Sequence, residues 1–283
     1  MAAAGAVLVV ALALGGVRPT LAGSPLRASV AAVVGLLAAA AVAVVVDRRS
    51  PRRVTEGEVS AALGAPVLAT LVRRRGPGAA APALLESSES DAAERVRIAR
   101  ATLVAILAAR EAAVVVVTSA REGEGKTTVV ADLAVALARD GRHVAAVDAD
   151  LRDPGLQDRF HLDGGPGVVD LLRGTASLSD LPAPLRSDVG LGSLRIVTAG
   201  ADADDPSELL GALGPVVDGL RSACDVVLVD TPPVLAFGDA VVVGRCADAA
   251  VVVVDPRRTS VDELRTVAAR LALPVVGAIV DEP

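Results

Sequence analysis

Ser119-Ala120-Arg121-Glu122-Gly123-Glu124-Gly125-Lys126-Thr127-Thr128 is the segment of this sequence with the most chemical content. Closely spaced glycines let backbone N–H groups close on phosphate oxygens, and a helix that starts at the lysine adds its partial positive charge. Lys126 then reaches the β- and γ-phosphates, and the Thr127 hydroxyl is free to meet Mg²⁺. Lys126 is the only lysine in the chain, and the other 27 basic residues are Arg. A compact ammonium on a flexible stem suits a tight phosphate cradle, where a planar guanidinium does not. Two acidic sites follow. Asp148 and Asp150 stand two residues apart after the apolar run Val144–Val147, and Asp230 follows Val226–Val229. Carboxylates at the ends of buried parallel strands face the crevice where such sheets bind ligands, and one beside a phosphate loop serves as a metal partner. The chemistry expected is Mg-ATP binding and phosphoryl transfer.

Elements of the right kind surround these residues. Val-rich runs at 113–118, 143–147, 194–198, 225–229, 249–254 and 274–280 alternate with helical stretches at 126–139, 206–222, 237–246 and 260–272. Continuous apolar strands between amphipathic helices predict an α/β fold with a mostly parallel sheet covered on both faces. A helix is expected to open the nucleotide-binding domain near Asp91–Arg110. Before it, residues 73–92 are rich in Pro, Gly, Ala and Ser and read as a linker. Thr55–Leu63 carries a capping-box pattern, Thr55 followed by Glu58, and leads to a small apolar stretch at Val67–Val72.

The N-terminal region is different in kind. Ala2–Val17 and Ala28–Val46 are uncharged runs of 16 and 19 residues, against the roughly 20 that a membrane-spanning helix needs. Residues 48–75 hold seven Arg against two Glu, which places the downstream side in the cytoplasm by the positive-inside bias. The expected organisation is a two-helix transmembrane hairpin over 1–47, a juxtamembrane segment and linker over 48–90, and the nucleotide-binding domain over 91–283. A formal charge of −6 excludes a strongly basic nucleic-acid binder. Cys224 and Cys246 have neither metal-ligand spacing nor a secretory framework.

Taken together, the loop at 119–128, V-D-A-D-L-R-D-P at 147–154 and L-V-D-T-P-P-V-L at 228–235 resemble the Walker A, A′ and B motifs of the bacterial tyrosine kinases. These are deviant-Walker P-loop ATPases fused or paired with polysaccharide co-polymerases. Glu94-x-x-Arg97-x-x-Arg100 is similar to the family's ring-assembly helix, and Asp205–Leu210 to its P-[ND]-P-x-E-L-L segment. The resemblance implies ATP and Mg²⁺ as cofactors, with Gly123, Glu124, Gly125, Lys126, Thr127 and Thr128 around the nucleotide. It also implies metal positioning by Thr127, Asp148 and Asp230, activation of the attacking hydroxyl by Asp148 and Asp150, and a steadying role for Arg152. Homo-oligomers, polysaccharide polymerase or export proteins as partners, and a bacterial inner-membrane location follow from the same resemblance. Four departures stand out. Arg121 occupies the place of the signature lysine of partition and division-site ATPases, Glu122 replaces a usual Pro, and Asp281 replaces an Asn expected at the adenine. The fourth is that the sequence contains no tyrosine, so tyrosine autophosphorylation is not expected. The readings left open are an ATPase or kinase regulating exopolysaccharide or capsule assembly, a non-catalytic nucleotide-gated regulator, and a partition-type ATPase.

Overall fold

The computed structural model describes residues 53–282 apart from 75–80, 88, 109, 111 and 186–191, together with Gly35. In chain order the elements are α1 (Glu56–Leu63), β1 (Val67–Val72), α2 (Ala83–Glu86), α3 (Asp91–Leu107), β2 (Ala113–Ser119), α4 (Lys126–Arg139), β3 (His143–Asp148), α5 (Leu156–Arg159), α6 (Val168–Arg173) and β4 (Ser193–Val197). They continue with α7 (Pro206–Leu210), α8 (Gly214–Arg221), β5 (Val226–Asp230), α9 (Asp239–Val243), a 3₁₀ turn at Gly244–Cys246, β6 (Ala249–Val254), α10 (Val261–Arg270) and β7 (Val275–Glu282). The seven strands form one sheet in the order β1-β7-β6-β2-β5-β3-β4, and every neighbouring pair is parallel.

The two-residue period of the strands explains why the sheet is covered twice. Val115 and Val117 of β2 and Leu228 of β5 join one core with α3 and α4, through Leu103, Leu133 and Leu137. Their neighbours Val114, Val116, Val227 and Val229 face the other way, into a core with Leu210, Val217 and Leu220. Val252, Val254 and Val280 fill a third core, under α1 and α10, with Val59, Leu264 and Val267. Strands buried on both faces read as unbroken apolar runs, which is why β2, β5 and β6 were legible from composition alone.

Two expectations need correction. The nucleotide-binding domain was expected to begin at residue 91, yet the compact unit runs from Arg52 to Pro283. The Thr55 capping box forms as anticipated and starts α1. β1 then pairs with β7, from Val67 opposite Ala278 to Val72 opposite Glu282, so the apolar stretch taken for a juxtamembrane piece is an edge strand of the sheet. The helix expected over 206–222 is broken into α7 and α8, because Pro215 in the first turn of α8 cannot donate a bond back to Gly211. The predicted hairpin over 1–47 lies outside the described residues, Gly35 excepted. Among the described residues no helix is long and apolar enough to cross a membrane.

Candidate functional site

β2 delivers the chain into the loop at the C-terminal edge of the sheet, next to β5 and β6. Gly123 and Gly125 adopt φ of 72° and 90°, the left-handed region that glycine reaches without steric cost. Gly125 is the N-cap of α4, so the helix starts at Lys126 with its first N–H groups open to an anion. The segment after β5 is stitched to the same strand. The Thr118 hydroxyl donates to Pro232 O at 2.9 Å, the Thr231 hydroxyl to Val117 O at 3.1 Å, and the Val234 N–H to Ser119 O at 2.9 Å.

The expected acidic residues converge. Asp148 and Asp230 are register partners on adjacent strands, and both are fully buried. Lys126 Nζ lies 3.6 Å from Asp150 Oδ2, and both side chains are nearly inaccessible. Asp148 Oδ2 accepts from the backbone N–H groups of Gly155 and Leu156 at 3.0 and 2.9 Å. Among the described residues its Oδ1 and both carboxylate oxygens of Asp230 have no partner in good hydrogen-bond geometry, although the Thr127 side chain lies near enough to Asp230 to favour its charged form. Burial pushes the Asp148 carboxyl above its ordinary range, and the neighbouring Asp150 charge adds to the rise. Burial likewise lifts Asp230 well above that range, with Asp148 adding and Lys126 opposing. Asp150 is raised by burial against the pull of Lys126.

Three orphaned carboxylate oxygens in the interior are an expensive arrangement unless a cation joins them. Among the described residues no group of three His, Cys, Asp or Glu forms a complete metal cage. Mg²⁺ fits that situation, since it binds through one or two carboxylates plus waters and substrate phosphates. Thr127 opens α4 beside Lys126, and a methyl group on Gly155 would come within 3.0 Å of its side chain. Gly155 therefore lets the loop after β3 close on Thr127.

Several site residues behave differently from the sequence reading. The side chain of Glu124, expected among the nucleotide contacts, is buried away from the cradle and accepts from the Arg121 N–H at 2.9 Å and from the Thr259 hydroxyl. Burial raises its pKa, with the Thr259 bond opposing. Only its backbone is left for a phosphate. Arg121 forms an ion pair with Glu263 of α10, and Glu122 points to solvent. Arg152 is anchored beside the aspartates, where its charge still interacts with Asp150: its Nε donates to Asp239 at 2.7 Å, its Nη2 donates to Ser207 at 3.0 Å, and its guanidinium stacks 4.3 Å above the Phe237 ring. This ties the loop after β3 to α7 and to the segment after β5. Thr259, Arg258 (which donates to Gly123 O at 3.3 Å), Asp239 and Phe237 escaped the sequence reading. Their common signal is position after the C-terminal ends of β5 and β6, where open α/β sheets build their sites.

Glu94, Arg97 and Arg100 lie along α3. Glu94 and Arg97 pair at 2.8 Å, and Arg100 pairs with Asp140 just beyond α4.

Residues 115–280 match the family model described as CobQ/CobB/MinD/ParA nucleotide binding domain. The tyrosine-protein kinase YwqD of Bacillus subtilis strain 168 is 32% identical over 172 residues, covering 60% of this chain and 71% of the relative. The chain belongs to the bacterial tyrosine kinases of that nucleotide-binding family. It spans only 20–22% of the length of longer curated kinases that it also matches. The kinase domain of the Escherichia coli tyrosine kinase ETK superposes with a TM-score of 0.69 at 27% identity, covering 81% of this chain and 94% of that one. The septum site-determining protein MinD from Pyrococcus horikoshii OT3, solved with Mg-ADP, superposes with a TM-score of 0.50 at 27% identity, covering 60% and 70%. Bacterial tyrosine kinases and MinD thus share with this chain an α/β P-loop fold with a parallel sheet.

Proposed function

We propose that this chain is a Mg-ATP-dependent phosphotransferase or ATPase of the bacterial tyrosine-kinase type. In this reading it is held in the bacterial inner membrane by a hairpin over residues 1–47 and regulates exopolysaccharide or capsule assembly. The observation that carries the catalytic part is the meeting of Lys126, Asp148, Asp150 and Asp230 beside the phosphate loop, with three carboxylate oxygens that lack a well-formed hydrogen bond among the described residues. Gly123, Gly125, Thr128 and the backbone of Glu124 would hold the phosphates, and Thr127, Asp148 and Asp230 would hold Mg²⁺. Held there, Mg²⁺ would offset negative charge on the phosphates. Lys126 supplies the second positive charge. Asp150 takes the proton of the attacking hydroxyl or water, and burial raises its pKa against the pull of Lys126, which strengthens it as a base.

The acceptor is a partner protein or water, since these 283 residues contain no tyrosine. Homo-oligomers would assemble through α3 with Glu94, Arg97 and Arg100. The expected partners are polysaccharide polymerase or export membrane proteins, with no role for nucleic acid. The absence of tyrosine also favours a second reading, a nucleotide-gated regulator without productive transfer. Phosphate release by wild type and Asp150→Ala separates the two. Loss of release in the variant supports an enzyme, and equal background rates support the regulator.

A further inference from the structure

β1 ends at Val72, and the next residue reaches into the loop region. Arg73 donates from Nε at 3.1 Å and from Nη2 at 2.7 Å to Oδ2 of Asp281. Its backbone N–H donates to Glu282 O at 2.7 Å, so both main chain and side chain are held. Asp281 is buried near the end of β7, and its carboxylate lies directly against Gly125. A methyl group on Gly125 would collide with Oδ2 and stand 3.2 Å from Cγ. Gly125 is the residue that opens α4, so this carboxylate touches the cradle that must receive phosphates. Arg73, Asp281 and Thr128 also line one cavity, together with Arg74, Asp132 and Arg159.

An ionised carboxylate in that position repels a polyphosphate, and low local dielectric strengthens the repulsion. Burial drives the Asp281 pKa upward, while the Arg73 bonds and charge and, after them, the Arg159 charge oppose the rise. We propose, resting on the nucleotide-binding reading above, that Arg73 is a positioning residue of the nucleotide site. Its guanidinium neutralises Asp281 and holds it against Gly125, so that the loop accepts a triphosphate. The charge balance of the phosphate loop then depends on a residue 52 positions upstream of Gly125, carried in by the edge strand.

Calorimetric titration of the full-length chain with Mg-ATP, ADP and AMP tests this. Arg73→Ala weakens Mg-ATP binding by about tenfold or more, and the loss shrinks from ATP to AMP, a trend that a purely structural anchor does not produce. Arg73→Ala/Asp281→Asn recovers affinity to within about threefold of wild type. Asp281→Asn alone leaves Arg73 uncompensated beside the phosphates and tightens Mg-ATP binding by about threefold or more. An unchanged affinity in Arg73→Ala, a double variant as weak as the single one, or weaker binding by Asp281→Asn each overturns the proposal. The last of these does so even if Arg73→Ala fails to fold. Wild type that binds no Mg-ATP overturns the nucleotide reading itself, whereas wild-type binding with an indifferent Arg73→Ala overturns only the role of Arg73.

Discussion

Asp132 offers a test of the interior electrostatics. It lies on α4, is 3% exposed, accepts the Ala83 N–H at 2.6 Å and has Arg74 Nη2 at 3.8 Å. Burial outweighs these partners and pushes its carboxyl from 3.8 up to about 6. Because the folded value lies above the unfolded one, the native state binds the proton more tightly than the unfolded chain does. Ionisation therefore costs stability. The cost is absent below the unfolded value, grows as pH rises from 3.8 to about 6, and is constant above. The full difference corresponds to about 3 kcal/mol, most of which develops between pH 4 and pH 8.

Asp132→Asn keeps an acceptor for the Ala83 N–H and removes the titration. The attraction of Arg74 acts on the ionised carboxylate and is already contained in the folded pKa, so exchange of acid for amide adds only an offset that does not vary over this range, and the change with pH is the informative quantity. Urea unfolding of wild type and Asp132→Asn at pH 4, 6 and 8 measures it. The stability of the variant relative to wild type should improve by about 2–3 kcal/mol from pH 4 to pH 8. A relative stability that is flat over this range, or that moves against the variant, refutes the reasoning.

Two further outcomes follow from packing. Gly167→Ala should destabilise the fold by about 1–3 kcal/mol in urea unfolding, because its new methyl meets the backbone of Thr198 and Gly200 and stands 2.7 Å from Ala199 C. A fragment beginning at residue 90 lacks α1, β1 and Arg73 and leaves β7 as an unpaired edge. It should show lower thermal stability and weaker Mg-ATP binding than the full chain, compared by scanning calorimetry and titration.

Much of the fold was legible because its strands are buried on both faces and so are written as unbroken valine runs. β2, β3, β5 and β6 fall within a residue or so of the expected positions. β1 was not legible as a strand: V-L-A-T-L-V is short, and its identity comes from pairing with β7 about two hundred residues away. The phosphate loop and the three aspartates could be found because their chemistry is local to each motif and each sits at a strand end. What sequence could not supply was partner choice between distant segments. Arg152 reads as a helper of the aspartates beside it in sequence and does interact with Asp150, but its anchors, Asp239 and Phe237, come from far along the chain. Glu124 reads as one of the nucleotide contacts, yet its carboxylate accepts from the distant Thr259. Arg73 stood in a run of arginines whose solvated and buried members composition cannot tell apart.

In the proposed function the loop at Glu122–Thr128 binds Mg-ATP through Lys126. Titration calorimetry of the full-length chain with Mg-ATP, beside Lys126→Met, tests it most directly. Saturable binding by wild type that Lys126→Met abolishes is the predicted result, and absence of binding by wild type, or equal binding by the variant, contradicts it.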